Sequence, residues 1–126
     1  MQIIIYTDVN NSQNFILLKE ISKIANSTSA VVFDFDSLFN LLKSKISDDV
    51  VIAFHISFLK ELQYLDLNRV YLSNTRYIII LSNENEELTS IALSLHPRYL
   101  TYSNQGFHDV TAVLNKINQN FARNGK

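Results

Sequence analysis

The sequence predicts an α/β domain built on a parallel five-stranded sheet. Three observations carry that expectation. Short apolar runs alternate with helix-periodic segments from end to end, the inner runs are apolar at nearly every residue, and only 2 glycines and 1 proline are present to loosen 126 residues into linkers. A strand apolar on both sides is covered on both faces, as in a parallel sheet held between layers of helix.

The first run, Gln2–Tyr6 (QIIIY), is followed at helical spacing by Leu17, Leu18, Ile21, Ile24 and Ala25. Asp8, just after the strand, suits either a cap on that helix or a place in a site at the strand tip. The second strand is expected over Ala30–Phe35 (AVVFDF), then a helix with Leu38, Leu41, Leu42 and Ile46 as its apolar stripe. Asp36 is the expected N-cap of this helix, with Asp34 on the exposed lip of an edge strand. The third strand, Val50–Phe54 (VVIAF), leads into a helix over Phe58–Leu67, the least periodic part of the chain. The fourth, Tyr77–Leu81 (YIIIL), precedes Leu88, Ile91, Ala92 and Leu95, a helical i, i+3, i+4, i+7 pattern. Asn83 with Glu86 reads as a capping box, Glu84, Glu86 and Glu87 suit the positive helix end, and Pro97 stops the helix. The fifth strand, Tyr99–Tyr102 (YLTY), is followed by Val110, Val113, Leu114, Ile117 and Phe121, opposite a polar face of Asn115, Lys116, Asn118 and Gln119. Residues 1–122 are thus one expected domain, with 123–126 a tail or the start of a linker. Strict alternation with short connections implies right-handed crossovers and a three-layer sandwich. The length suits the flavodoxin-like (βα)5 arrangement of strand order 2-1-3-4-5, in which ligands gather at the carboxyl ends of the strands.

Composition excludes several functions. Eleven Lys and Arg against 12 Asp and Glu give a net charge of −1, and the basic residues are scattered. That is no footprint for nucleic acid or an anionic membrane. Cysteine is absent, which removes disulfides, thiol chemistry and Cys-based zinc sites. No run approaches the ~18 apolar residues of a membrane span, and MQIIIYTD lacks the features of a signal peptide, so a cytoplasmic protein is expected.

The expected strand tips carry Thr7-Asp8, Asp34–Asp36, Phe54-His55, Ser82-Asn83 and Tyr102-Ser103. In this pattern the chain resembles the receiver domains of bacterial response regulators, over nearly its whole length. In that family an acidic pair closes the first strand, matched here by Thr7 and Asp8. The phospho-accepting aspartate closes the third strand, and the match in DDVVIAFHIS is Phe54. A hydroxyl residue closes the fourth, matched by Ser82. The fifth strand brings an aromatic residue and, three positions on, a lysine; these align with Tyr99 and Tyr102, with Ser103 next.

The resemblance thus implies a degenerate pocket of Thr7, Asp8, Phe54, Ser82 and Tyr102, with Tyr99 as the switch-like aromatic. Phosphoryl transfer to a carboxylate needs that carboxylate, a Mg2+ held by neighbouring acids and a cation for the developing charge. A phenyl ring cannot accept a phosphoryl group, and Tyr102 offers a hydroxyl in place of an ammonium. His55 is expected to face away from Phe54, outside the pocket. The implied protein is a non-enzymatic pseudo-receiver with no cofactor or metal, a phosphorylation-independent regulatory module binding a protein partner or output domain or forming a homodimer. Its interaction face would comprise Glu87, Ser90, Ser94, Tyr99, Thr101, Asn115 and Gln119. No contact with nucleic acid or membrane is implied for this domain.

AVVFDFD supports one rival. Asp34-x-Asp36 after a strand, with Ser82 ending another, resembles the start of a haloacid-dehalogenase-type phosphatase. Ser37-Leu38 stands where that family has Gly-Thr, and no later strand ends in an acidic pair. A flavodoxin-type cofactor site finds less support, because DVNNSQN is no phosphate cradle.

Overall fold

Three isoleucines in succession, Ile3 to Ile5, have no exposed surface, and all seven residues of the central strand are buried. Each such side chain contributes about 1.5–3 kcal/mol relative to an exposed position, which is why these runs become the middle of the sheet. The computed structural model describes residues 1–44 and 49–124. Its strands are β1 (Gln2–Tyr6), β2 (Thr28–Val32), β3 (Val50–Ile56), β4 (Arg76–Leu81) and β5 (Tyr99–Tyr102), all parallel in the order β2-β1-β3-β4-β5. The connecting helices are α1 (Asn14–Ile21), α2 (Phe35–Ser44), α3 (Leu59–Leu67), α4 (Glu86–Ser94) and α5 (His108–Asn124). The fold is the expected flavodoxin-like sandwich.

Strand alternation divides the core into two halves. Ile3, Ile5, Val51, Ala53, Ile78 and Ile80 pack against Leu17 and Ile21 of α1 and Val110 and Leu114 of α5. Ile4, Tyr6, Ile52, Phe54, Ile56, Ile79 and Leu81 pack against Leu38 of α2, Leu62 and Leu65 of α3, and Leu88 and Ala92 of α4. Any strand-end residue therefore belongs to one side or the other according to its parity.

Several helix starts differ from expectation. β2 ends at Val32, and Phe33 is 48% exposed, so the chain leaves the sheet before the two aspartates. Asp34, not Asp36, caps α2: its carboxylate accepts from the Ser37 amide at 2.7 Å and the Ser37 hydroxyl at 2.9 Å. Asp36 falls in the first turn, where its charge suits the helix dipole. Ile46, assigned to that helix stripe, lies outside the described residues. Asp8 does not cap α1, which begins at Asn14; its carboxylate accepts from the Asn10 amide within the preceding turn. Asn85, not Asn83, caps α4, accepting from Glu87 N at 2.9 Å and Leu88 N at 3.2 Å. At α3 the N-cap is Phe58, which has no acceptor. Glu61 serves instead, its Oε1 accepting from the amides of Ser57 and Phe58 at 3.0 and 2.9 Å. α5 runs to Asn124, two residues past the expected domain boundary.

Candidate functional site

At the carboxyl edge of the sheet, parity decides which side chains meet. β1 pairs Tyr6 with Phe54 of β3, so the next residues, Thr7 and His55, stand side by side on the α1/α5 side. Thr7 is 1% exposed and His55 has no exposed surface. Thr7 Oγ1 lies 3.2 Å from His55 Nδ1 and 2.6 Å from Asn14 Oδ1. Asn14 Nδ2 donates to the Asp8 carbonyl at 2.8 Å, which fixes that carboxamide and makes its Oδ1 the acceptor. The single proton of Thr7 is therefore spent on Asn14. His55 Nδ1 must then carry the hydrogen and donate to Thr7, leaving Nε2 as an acceptor towards Asn11 Nδ2 at 3.5 Å. Burial pushes the His55 pKa down to about 4, so the ring is neutral at pH 7.

Asn11 closes the arrangement. Its Nδ2 also donates to Ser57 Oγ at 3.1 Å and Ser82 Oγ at 3.4 Å, and those hydroxyls are 3.0 Å apart. Its Oδ1 accepts the Gln13 amide at 2.9 Å. Beyond it, Ser103 Oγ donates to Gln13 Oε1 at 2.7 Å, and Gln13 Nε2 donates to the Ser103 carbonyl at 3.3 Å. The β1–α1 loop thus folds its own amides over the ends of β3, β4 and β5.

The opposite parity holds rings. Phe54, fully buried, lies 6.1 Å from Tyr6 and 5.8 Å edge-on from Tyr77. The Tyr6 hydroxyl donates to Glu61 Oε2 at 2.5 Å, and burial together with that carboxylate raises its pKa. Tyr102 turns the same way, its hydroxyl 2.8 Å from Thr89 Oγ1 on α4.

Of the five expected pocket residues, Thr7 and Ser82 meet in the polar cluster and Asp8 lies at its edge through its carbonyl. Phe54 and Tyr102 do not join it; His55, the next residue of β3, and Ser103, the first residue after β5, take those places. His55 does face away from Phe54, as expected, but that side of the sheet is the one that holds Thr7 and Ser82, so it joins the polar cluster. The reason is that β3 runs on through His55 to Ile56, a continuation masked in the sequence by the end of the apolar run. Asn11, Gln13, Asn14 and Ser57 were also missed. The signal available was the parity of Ile3, Ile5 and Thr7 set against Val51, Ala53 and His55.

Other assignments divide similarly. Tyr99 packs half-buried against the α1/α5 core, and Thr101 is 5% exposed, so Thr101 presents no docking surface. Glu87, Ser90 and Ser94 on α4 and Asn115 and Gln119 on α5 are exposed. Asp34 follows the edge strand β2, and β1 and β3 lie between β2 and β4, which leads into Ser82, so the residues of the phosphatase reading are not brought together.

Receiver chemistry requires Mg2+, and these residues do not fit it. Mg2+ demands an octahedron of hard oxygen donors. Here the cluster offers one nearby carboxylate, hydroxyls already engaged, a neutral imidazole and the N–H groups of Asn11. Among the described residues no group of three His, Asp or Glu side chains is placed to hold a metal ion.

Solved structures with this architecture include an atypical orphan response regulator described as having a phosphorylation-independent regulatory mechanism, at TM-score 0.67 and 12% identity over 93% of this chain and 94% of that one. The chain has the receiver fold. The CheY-like protein TadZ of Pseudomonas aeruginosa superposes with TM-score 0.63 at 13% identity, over 91% of this chain and 94% of that one. RcsB of Salmonella enterica serovar Typhimurium, solved on promoter DNA with a phosphomimetic, gives TM-score 0.63 at 19% identity over 82% of this chain. The chain spans 60% of the RcsB chain. No family model and no curated protein sequence matches it. The likeness is one of architecture, at 12–19% sequence identity.

Proposed function

We propose that this chain is a receiver-type regulatory module whose output does not depend on phosphorylation, acting in bacterial signal transduction. One observation carries the reading: where the receiver fold would present an acid towards the end of β1, His55 donates to Thr7, and Asn11 ties the site shut onto Ser57 and Ser82. A buried neutral imidazole with both nitrogens engaged is neither a phosphoryl acceptor in reach of a donor nor a Mg2+ ligand. The pocket Thr7, Asp8 and Ser82 is then a structural clasp. The atypical orphan regulator, with its phosphorylation-independent mechanism, supports such a use of the same fold.

Without phosphotransfer the fold acts by binding, and the module is read as a non-enzymatic, cytoplasmic one. Its exposed α4–α5 surface, with Glu87, Ser90, Ser94, Asn115 and Gln119, is the proposed docking face for a protein partner, an output domain or a second copy. Among the described residues no helix is long and apolar enough to cross a membrane.

The test is direct. Uniformly labelled protein is titrated with acetyl phosphate or beryllofluoride and Mg2+, and amide shifts are followed. The expected result is no saturable change at Thr7, Asp8, His55 or Ser82. Saturable shifts centred there would show a working pocket and reverse the reading.

A further inference from the structure

A groove on the other face of the sheet from the clasp has a lining that this function does not use. Its two walls are matched stripes. On α2, Asp36, Asn40 and Lys43 follow at i, i+4, i+7 with Phe39 beside them; across from them Tyr64, Asn68 and Tyr71 repeat the same spacing through α3 and the following turn. The space between is about 380 Å3, within the range of small-molecule clefts. Behind its lining rings lies a stack rooted in the core, with Tyr71 tilted at the outer end. Phe35 stacks on buried Tyr6 at 4.3 Å and 9°, and on Tyr64 at 4.8 Å and 18°. Phe39 lies 6.4 Å from Tyr64 at 26° and 5.4 Å from Tyr71. The outer members, Tyr64 and Tyr71, are 39% and 56% exposed, so ring surface is offered to solvent on a base that packing holds still.

The polar groups are ordered along the groove: a carboxylate at the Asp36 end, carboxamides of Asn40 and Asn68 in the middle, and an ammonium at Lys43. From Asp36 to Lys43 is about 10 Å along the helix. Among the described residues, the side chains of Asp36, Asn40 and Lys43 and the hydroxyls of Tyr64 and Tyr71 make no hydrogen bond or ion pair. Asn68 donates to the Tyr64 carbonyl at 2.8 Å, which leaves its Oδ1 as an acceptor. A flat ring with donors and acceptors on its edge, joined to an anion about 10 Å away, satisfies every one of these groups.

We propose that this groove is a binding site for an adenine mononucleotide. The base would stack on the tyrosine and Phe39 rings, a contact general to nucleobases. Asn40 and Asn68 would address its edge, since a carboxamide matches the amino group and ring nitrogen of adenine in one plane. Asp36 would accept from a ribose hydroxyl or the amino group, and Lys43 would meet the phosphate as a point charge. The site lies away from the α4–α5 docking face, and the proposal stands whether or not that face binds a partner.

The experiment is a titration of the labelled full chain with AMP, and in parallel with adenosine, UMP and inorganic phosphate, read by amide shifts. AMP is expected to shift the residues of the two stripes saturably, adenosine to shift them at higher concentration, UMP more weakly than AMP, and inorganic phosphate not at all. Tyr71→Ala, a change at an exposed side chain, should weaken AMP and adenosine alike by about fivefold or more. Lys43→Gln should weaken AMP about two- to fivefold and leave adenosine unchanged. The absence of saturable shifts on the stripes at millimolar AMP would overturn the proposal. So would shifts centred on Thr7 and Ser82, equal response to phosphate alone, or indifference of AMP to both substitutions.

Discussion

The two sides of the sheet's carboxyl edge are separated by one residue in each strand and by nearly everything in chemistry. Towards α1 and α5, Thr7, His55, Asn11, Ser57 and Ser82 form a closed hydrogen-bonded clasp. Towards α2, α3 and α4, Tyr6, Phe54 and Tyr77 form a packed aromatic wall whose one buried carboxylate, Glu61, is fully used. On the polar side the capacity for hydrogen bonds is spent internally. The lesson is that polar strand ends need not stay open. Loop amides can cover them and hold them together.

The largest effect expected from this contrast comes from moving an acid across it. Phe54→Asp places an unpaired carboxylate in an apolar wall and should cost on the order of 5 kcal/mol or more, enough to abolish folding. His55→Asp, one residue on, meets the donors of Asn11 and should fold. Circular dichroism with urea denaturation separates the two; an unfolded His55→Asp beside a folded Phe54→Asp would reverse the assignment of sides.

On the aromatic side, Glu61→Ala strands the Tyr6 hydroxyl and the amides of Ser57 and Phe58, and should cost about 3 kcal/mol by urea denaturation.

The clasp should show itself in pH dependence. His55 has a native pKa of about 4, held down by burial, against an ordinary 6.5. Between those values the unfolded chain binds a proton that the native one does not. Stability from this group is therefore complete above pH 6.5 and falls as the pH is lowered, by up to about 3 kcal/mol at pH 4. The difference in urea stability between the wild type and His55→Gln, measured at pH 7.5 and pH 4.5, isolates it from the carboxylates. A difference that does not change with pH would show that the ring titrates normally.

The smallest effect is expected from Asn11→Ala. It removes the fork to His55, Ser57 and Ser82 at a half-buried site and should cost about 1–2 kcal/mol. Amide shifts should move at His55 and Ser82 and stay in place at Phe54 and Tyr77, because the sheet separates the two sides.

The architecture was readable from the chain because it depends on composition and period. Runs such as QIIIY, VVIAF and YIIIL state both strand and double burial, and the stripes at Leu88, Ile91, Ala92 and Leu95 state a helix and its buried side. The site was half readable. Thr7 and Ser82 fall at strand ends that the pattern marks clearly. Phe54 reads as the tip of β3 because an apolar run ends before its strand does: His55 is a polar residue inside a buried strand. β5 ends at Tyr102 as expected, and the residue after it, Ser103, is the one that bonds to Gln13. Helix starts moved for a related reason. Asp34 and Asp36, or Asn83 and Asn85, are equally good caps by type, and only the exit point of the preceding strand chooses between them.

Taken alone, the order of residues determined the fold class, the strand order and the absence of an acid at the end of β3, because those follow from periodicity, chain length and residue identity. Tertiary structure decided which side chains face one another across strands: that His55 meets Thr7, that Asn11 reaches Ser82, and that Tyr64 and Tyr71 stand opposite Lys43 and Asp36. Register between strands is a property of the assembled sheet, and a shift of one residue sends a side chain to the other face.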